Sequence, residues 1–220
     1  MKLYTSLKEV GRRLIVGRTS KPLCRAFTEG IKDGDDQKTK KGKNNAFDKW
    51  ESIDNEPSFI KLYDIYLNTQ NEIPGAAAIR SMVEKTDGIV LIYSITDRES
   101  FRMVSKLFFV IHEYRDCNNM PLVLVGNKID EEDNRMVSVT EGRELAFDIG
   151  ASFYETSAKM NLEVVQAVFH DVIRQVRCVR SRRRMEEQVC GGESITRIKG
   201  LVHRLSFRSK KKQIQRKMST

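Results

Sequence analysis

Several features are scarce or missing in this 220-residue sequence, and each shortage narrows the field. Its four cysteines, Cys24, Cys117, Cys178 and Cys190, form no Cys-x-x-Cys pair and no His/Cys set at metal spacing. A zinc site is therefore not expected, and reduced thiols in a cytosolic protein are the default. No apolar run approaches the ~20 residues of a membrane span. The first residues, MKLYTSLKEVGRR, lack the apolar core of a secretory signal. No internal repeat is visible.

What is present is charge, unevenly distributed. Charged residues make up 31% of the chain and hydrophobic ones 40%, somewhat polar for a fully packed domain. The formal net charge is +9. From Arg174 onward there are 15 Lys+Arg against 3 Asp+Glu, which leaves 24 basic and 27 acidic residues in 1–173. The body is thus slightly acidic, which argues against a nucleic-acid-binding body. The electrostatic question moves to the tail.

The apolar pattern predicts an α/β fold. Short buried strands are expected at RRLIVG (12–17), FIKLYDIYL (59–67), IVLIYSI (89–95), PLVLVG (121–126) and ASFYETS (151–157). Helical spacing follows at AAAIRSMVEKT after Pro74-Gly75, at Phe101, Val104, Phe108 and Ile111, over 140–149, and over 162–177. Residues 33–49 are almost wholly polar without period and predict a mobile loop. Strands alternating with amphipathic helices give a mostly parallel central sheet flanked by helices. Ligands of such sheets bind beyond the carboxyl ends of the strands.

The most informative segments sit at two such ends. LVLVGNKID (122–130) is a buried strand that at once presents Asn127, Lys128 and Asp130, and ETSAK (155–159) presents Ser157, Ala158 and Lys159. Here the chain resembles the Ras-like small GTPases, with their NKxD and SAK guanine motifs. DGIVLIYSITDRESF (87–101) has the family's look for the central strand and the turn after it. The resemblance covers residues 10–178 and implies a Ras-like G domain that binds GTP and GDP and acts through effector or regulator proteins. The physical reading agrees. A carboxylate at Asp130 can accept from the ring N–H and the exocyclic amine of guanine, a donor pair adenine lacks. Asn127 offers an amide to the base and to neighbouring loops. The stems of Lys128 and Lys159 can cover the faces of the ring. The Ala158 N–H can donate to the guanine carbonyl.

The phosphate end departs from the family. A P-loop needs GxxxxGK[ST]. VGRTSKPLCRAF (16–27) has Gly17 and Lys21 with only three residues between them, and Pro22 stands where the Mg²⁺-binding hydroxyl belongs. Gly17 and Lys21 are the phosphate-binding candidates, with a weakened grip. For the family's DTAGQ motif, one alignment places Asn68, Asn71 and Glu72 at the Asp, Gly and Gln. Another places Asp64 at the Asp and Leu67 at the Gly, and likewise lacks the Gln. Thr39 is the sole threonine of the polar loop, in unfamiliar flanks. No Mg²⁺ ligand and no catalytic residue is assigned. Weak or absent GTP hydrolysis is expected. A nucleotide-independent interaction module, and a chain with an altered N-terminal region, fit the same pattern.

Residues 179–220 are read as a basic tail. Within 194–208, Ile195, Ile198, Val202 and Leu205 fall on one helical stripe flanked by Arg197, Lys199, Arg204 and Arg208. A basic amphipathic helix of this kind suits an anionic membrane surface or a calmodulin-type partner, and nucleic acid less well. The chain ends KMST and starts Met-Lys, so neither prenylation nor N-myristoylation is expected. Cys178 and Cys190 remain open to palmitoylation. The expected location is cytoplasmic, peripheral at membranes. An unprenylated Ras-like domain with such a tail is similar to the Ras-related and estrogen-regulated growth inhibitor branch.

Overall fold

The computed structural model describes residues 12–16, 21–29, 46–64, 80–81, 83–114 and 120–190. Six strands form one sheet: β1 (Arg12–Val16), β2 (Ala46–Ile53), β3 (Glu56–Asp64), β4 (Gly88–Ser94), β5 (Leu122–Asn127) and β6 (Ser152–Thr156). Their order is β2-β3-β1-β4-β5-β6. Every neighbouring pair is parallel except the β2–β3 hairpin. The helices are α1 (Lys21–Glu29), α2 (Arg98–Tyr114), α3 (Val139–Ile149) and α4 (Leu162–Cys190). Residues 80, 81, 83 and 84 are also helical. Among the described residues no helix is long and apolar enough to cross a membrane.

Burial explains why the apolar runs are strands. Every residue of β4 and of β5 is buried. Alternate side chains feed two cores. Ile89, Leu91, Tyr93, Leu122 and Leu124 pack with Phe101, Leu107 and Phe108 of α2 and Leu145 of α3. Val90, Ile92, Val123 and Val125 pack with Leu23 and Phe27 of α1 and Val165, Phe169 and Val172 of α4. Each fully buried side chain of this size contributes roughly 1.5–3 kcal/mol. Phe27 stacks on Phe169 with ring centroids 4.2 Å apart, locking α1 to α4. The capping box Ser138–Glu141 fixes where α3 begins.

The structure corrects the reading of residues 33–49 at its end. Residues 46–49 are not loop but the start of β2. β2 is an edge strand whose polar side chains find partners: Lys49 Nζ lies 2.6 Å from Glu51 and donates to the Phe27 carbonyl at 2.7 Å. The hairpin turns on Asp54 (φ 55) and Asn55 (φ 62), two residues that tolerate left-handed backbone. Residues 33–45 lie outside the described residues, as does the 65–67 end of the strand expected over 59–67. A second correction concerns the boundary at 178. α4 continues through residues 179–190, which the sequence alone reads as the start of the tail. Its apolar stripe ends at Val176, but Arg, Met, Glu and Gln are good helix formers and no Gly or Pro interrupts them before Gly191. Three arginines of α4 hold it to the sheet. Arg174 makes a two-pronged contact with Asp54, Arg177 donates to the Ile53 and Glu56 carbonyls, and Arg180 pairs with Asp87 at 2.7 Å.

Candidate functional site

β5 and β6 end side by side, with Asn127 in register with Thr156. That register brings together the two loops that follow. Gly126 just before the loop leaves little room for a side chain: a Cβ there would sit 3.0 Å from the Tyr93 hydroxyl and 3.2 Å from Glu155 Cγ, so those side chains would have to shift. The first loop leaves the sheet through Lys128, held in left-handed backbone (φ 74, ψ 36). Such a conformation costs a non-glycine residue about 1–2 kcal/mol. The Glu131 N–H donates to the Lys128 carbonyl at 2.9 Å and closes the turn. The 3-10 segment Ile129–Asn134 then carries Asp130 and Glu131. In the second loop Ser157 is 1% exposed. Asn161 caps α4 by accepting from the Val164 N–H at 3.0 Å.

Three contacts stitch the loops together. Asn127, 3% exposed, accepts through Oδ1 from the Ala158 N–H at 3.3 Å. Within the second loop, Ser157 Oγ accepts from the Lys159 N–H at 3.1 Å. The Ser157 hydroxyl also acts on the Asp130 carboxylate, favouring its ionised form. Lys159 Nζ lies 3.6 Å from Asp130 Oδ2, whose side chain is 13% exposed. The Ser157 hydroxyl above all, then the residue's own backbone and Lys159, hold the Asp130 carboxyl below the usual carboxylate range against the opposing effect of burial. Asp130 is therefore ionised, oriented and acceptor-only at neutral pH.

All six residues read as guanine contacts, Asn127, Lys128, Asp130, Ser157, Ala158 and Lys159, come together here. One of them is already engaged: the Ala158 N–H, read as a donor to the guanine carbonyl, donates to Asn127, so a base would share that donor. Two features were not legible in the sequence. Arg135 forks onto Glu155 (2.8 and 3.0 Å) and onto Glu132 (2.7 and 2.6 Å), tying the first loop to β6. Glu131 is a further carboxylate at the mouth, with Oε2 3.5 Å from Lys128 Nζ and Oε1 4.0 Å from Lys159 Nζ. The pairings of Arg135 with Glu155 and of Glu131 with Lys159 join residues 20 and 28 apart in sequence and leave no local signal.

At the phosphate end, Lys21 is the first residue of α1 and Pro22 the second, just after the carboxyl end of β1. Proline is at home in a first turn. It supplies no side-chain oxygen to a metal. Gly17, Thr39, Leu67, Asn68, Asn71 and Glu72 lie outside the described residues, and so does the amphipathic segment 194–208. Asp64 ends β3.

An open, mainly parallel sheet with a preformed carboxylate site where β5 and β6 end defines a doubly wound nucleotide-fold domain. The chain belongs to the Ras family: the model of that family, described as Ras family, matches residues 51–178. The match begins at Glu51, beyond the Gly17–Lys21 segment. The chain is 38% identical over 125 residues to "GTP-binding protein Rit2" of Mus musculus, covering 57% of this chain and 55% of that protein. It is 35% identical over 162 residues to "GTP-binding protein RAD" of Mus musculus, covering 74% of this chain and 49% of that protein. It is 37% identical over 119 residues to "Ras-related and estrogen-regulated growth inhibitor" of Homo sapiens, covering 54% of this chain and 58% of that protein. The chain thus spans about half the length of the curated relatives it matches.

Proposed function

We propose that this chain is a guanine-nucleotide-binding signalling protein whose own GTP hydrolysis is weak or absent. The observation that carries the reading is Asp130, an ionised carboxylate fixed by Ser157 and Lys159 where two loops converge. Guanine meets it with two donors. Adenine would leave a partly buried carboxylate unpaired, a penalty of about 1–3 kcal/mol. Lys128 and Lys159 supply the stems that flank a base. Lys21, at the start of α1, is the residue to meet phosphate, helped by the helix N-terminus. Pro22 beside it offers Mg²⁺ no side-chain oxygen, so nucleotide binding is proposed to depend little on the metal.

Titrating labelled GDP, GTP and ATP into the purified protein, with and without Mg²⁺, tests this. Guanine nucleotides should win, and chelator should change affinity little. Equal GTP and ATP affinity overturns the guanine reading. A loss of several-hundredfold on chelation overturns the metal-independent part. Pro22 also favours a second reading: the domain serves effector or regulator proteins as an interaction module without nucleotide. Failure of all three nucleotides to bind selects it. In either case the basic tail is proposed to hold the protein, from the cytoplasm, against anionic membrane surfaces.

A further inference from the structure

Asp130 has a competitor for its carboxylate inside the protein. Lys159 Nζ stands 3.6 Å from Asp130 Oδ2, one of the two oxygens that a base would need. An incoming base must displace that ammonium, and a displaced ammonium needs somewhere to go. Glu131 provides it. Its Oε1 is 4.0 Å from the same Nζ, and its Oε2 is 3.5 Å from Lys128 Nζ on the other side. The two oxygens of one carboxylate thus address the two lysines that flank the site, one from each loop. The backbone supports this placement: Glu131 breaks the 3-10 geometry of its segment (φ −107, ψ 39). The Lys159 side chain is 75% exposed, so its ammonium has room to move between the two acids.

Resting on the guanine reading, we infer that Glu131 is a positioning residue of the base site. It receives the Lys159 ammonium when a base takes Asp130, and it holds Lys128 and Lys159 together over the bound ring. Without it, Lys159 has Asp130 alone as a partner and competes with the base more strongly. Exposed ion pairs of this geometry are weak and screened by salt. The expected effect is therefore modest, about threefold to fivefold in affinity, and larger at low ionic strength.

The test is binding and release of fluorescently labelled GDP by the full chain, unmodified and as E131Q, E131D, K159M and E131Q/K159M, at low and high salt. ADP titrations and thermal melts are run alongside. E131Q should bind GDP about threefold to fivefold more weakly than the unmodified protein at low salt and release it faster, with an unchanged melt. E131D should restore part of the affinity. In the K159M background the E131Q change should cost clearly less, since only the contact with Lys128 remains to be lost. If E131Q binds like the unmodified protein, or loses as much in the K159M background, the inference is overturned while a GDP-over-ADP preference leaves the guanine reading standing. If the unmodified protein shows no such preference, the guanine reading fails and takes this inference with it.

Discussion

Asn127, the last residue of β5, accepts through its Oδ1 the N–H of Ala158, 31 residues further along the chain, at 3.3 Å. This bond crosses between the loops that build the base site, and Asn127 is almost fully buried. Asn127→Ala should therefore both destabilise and loosen the site. The orphaned N–H and lost bond should lower unfolding free energy by about 1–3 kcal/mol. Urea denaturation measures that change. GDP binding should weaken by more than the stability loss predicts, because the second loop is no longer tied to the first.

Asp130→Asn should change which base is preferred. The amide presents a donor where guanine also presents one, whereas xanthine presents a carbonyl there. Competition between labelled GDP and xanthosine diphosphate should favour guanine in the unmodified protein and xanthine in the variant. Retention of guanine preference by the variant would place base recognition elsewhere.

Hydrolysis should fall below the ~10⁻⁴ s⁻¹ of an intact Ras without a partner. Single-turnover measurement with purified protein checks this. Placing Gln at position 72 should not raise the rate, because the phosphate end would still lack its second glycine and its hydroxyl. A rate at the intact-family level would show that residues not recognised in this sequence complete the site.

His170 of α4 lies 3.6 Å from Glu51 on one side and edge-on to the Phe27 ring on another, with Lys49 and Arg174 also nearby. Burial above all pushes its pKa below 6.5, with Glu51 opposing and Arg174 and Lys49 assisting. A folded-state value below the unfolded one means the neutral form is favoured by folding. Stability from this group is full above the unfolded value near 6.5 and is lost as pH falls through the lower folded value. Urea denaturation at pH 7.5 and 5.5 should show the loss, and His170→Gln should make the pH dependence shallower by that amount. Identical slopes would mean the histidine is not the source.

The tail should bind anionic vesicles and release them with salt, since each basic residue near such a surface adds about 1 kcal/mol at most. Ile198→Asp and Leu205→Asp should reduce binding further by removing the apolar stripe. If neither matters while salt still releases the protein, the attachment is purely electrostatic. Salt-resistant, tighter binding to a competing RNA would move the tail's partner from membrane to nucleic acid.

The sequence by itself determined the layers of this protein and the strand ends at which its candidate site lies. β4 and β5 are legible because parallel strands covered on both faces must be apolar throughout, as Ile89–Tyr93 and Leu122–Val125 are. NKID and ETSAK are legible because their chemistry is carried by residues adjacent in sequence. Tertiary structure decided the rest. β2 hides in a polar stretch because an edge strand needs few buried apolar side chains, and its Lys49 finds the Phe27 carbonyl only once α1 is in place. The helix from 179 to 190 has no apolar stripe to announce it and continues from a helix already nucleated by the core. At the site, the placement of Glu131 between Lys128 and Lys159, and of Arg135 between Glu132 and Glu155, depends on the parallel register that sets Asn127 beside Thr156. Charges from separate loops meet there because the backbone brings them together, and nothing local in either loop encodes the meeting.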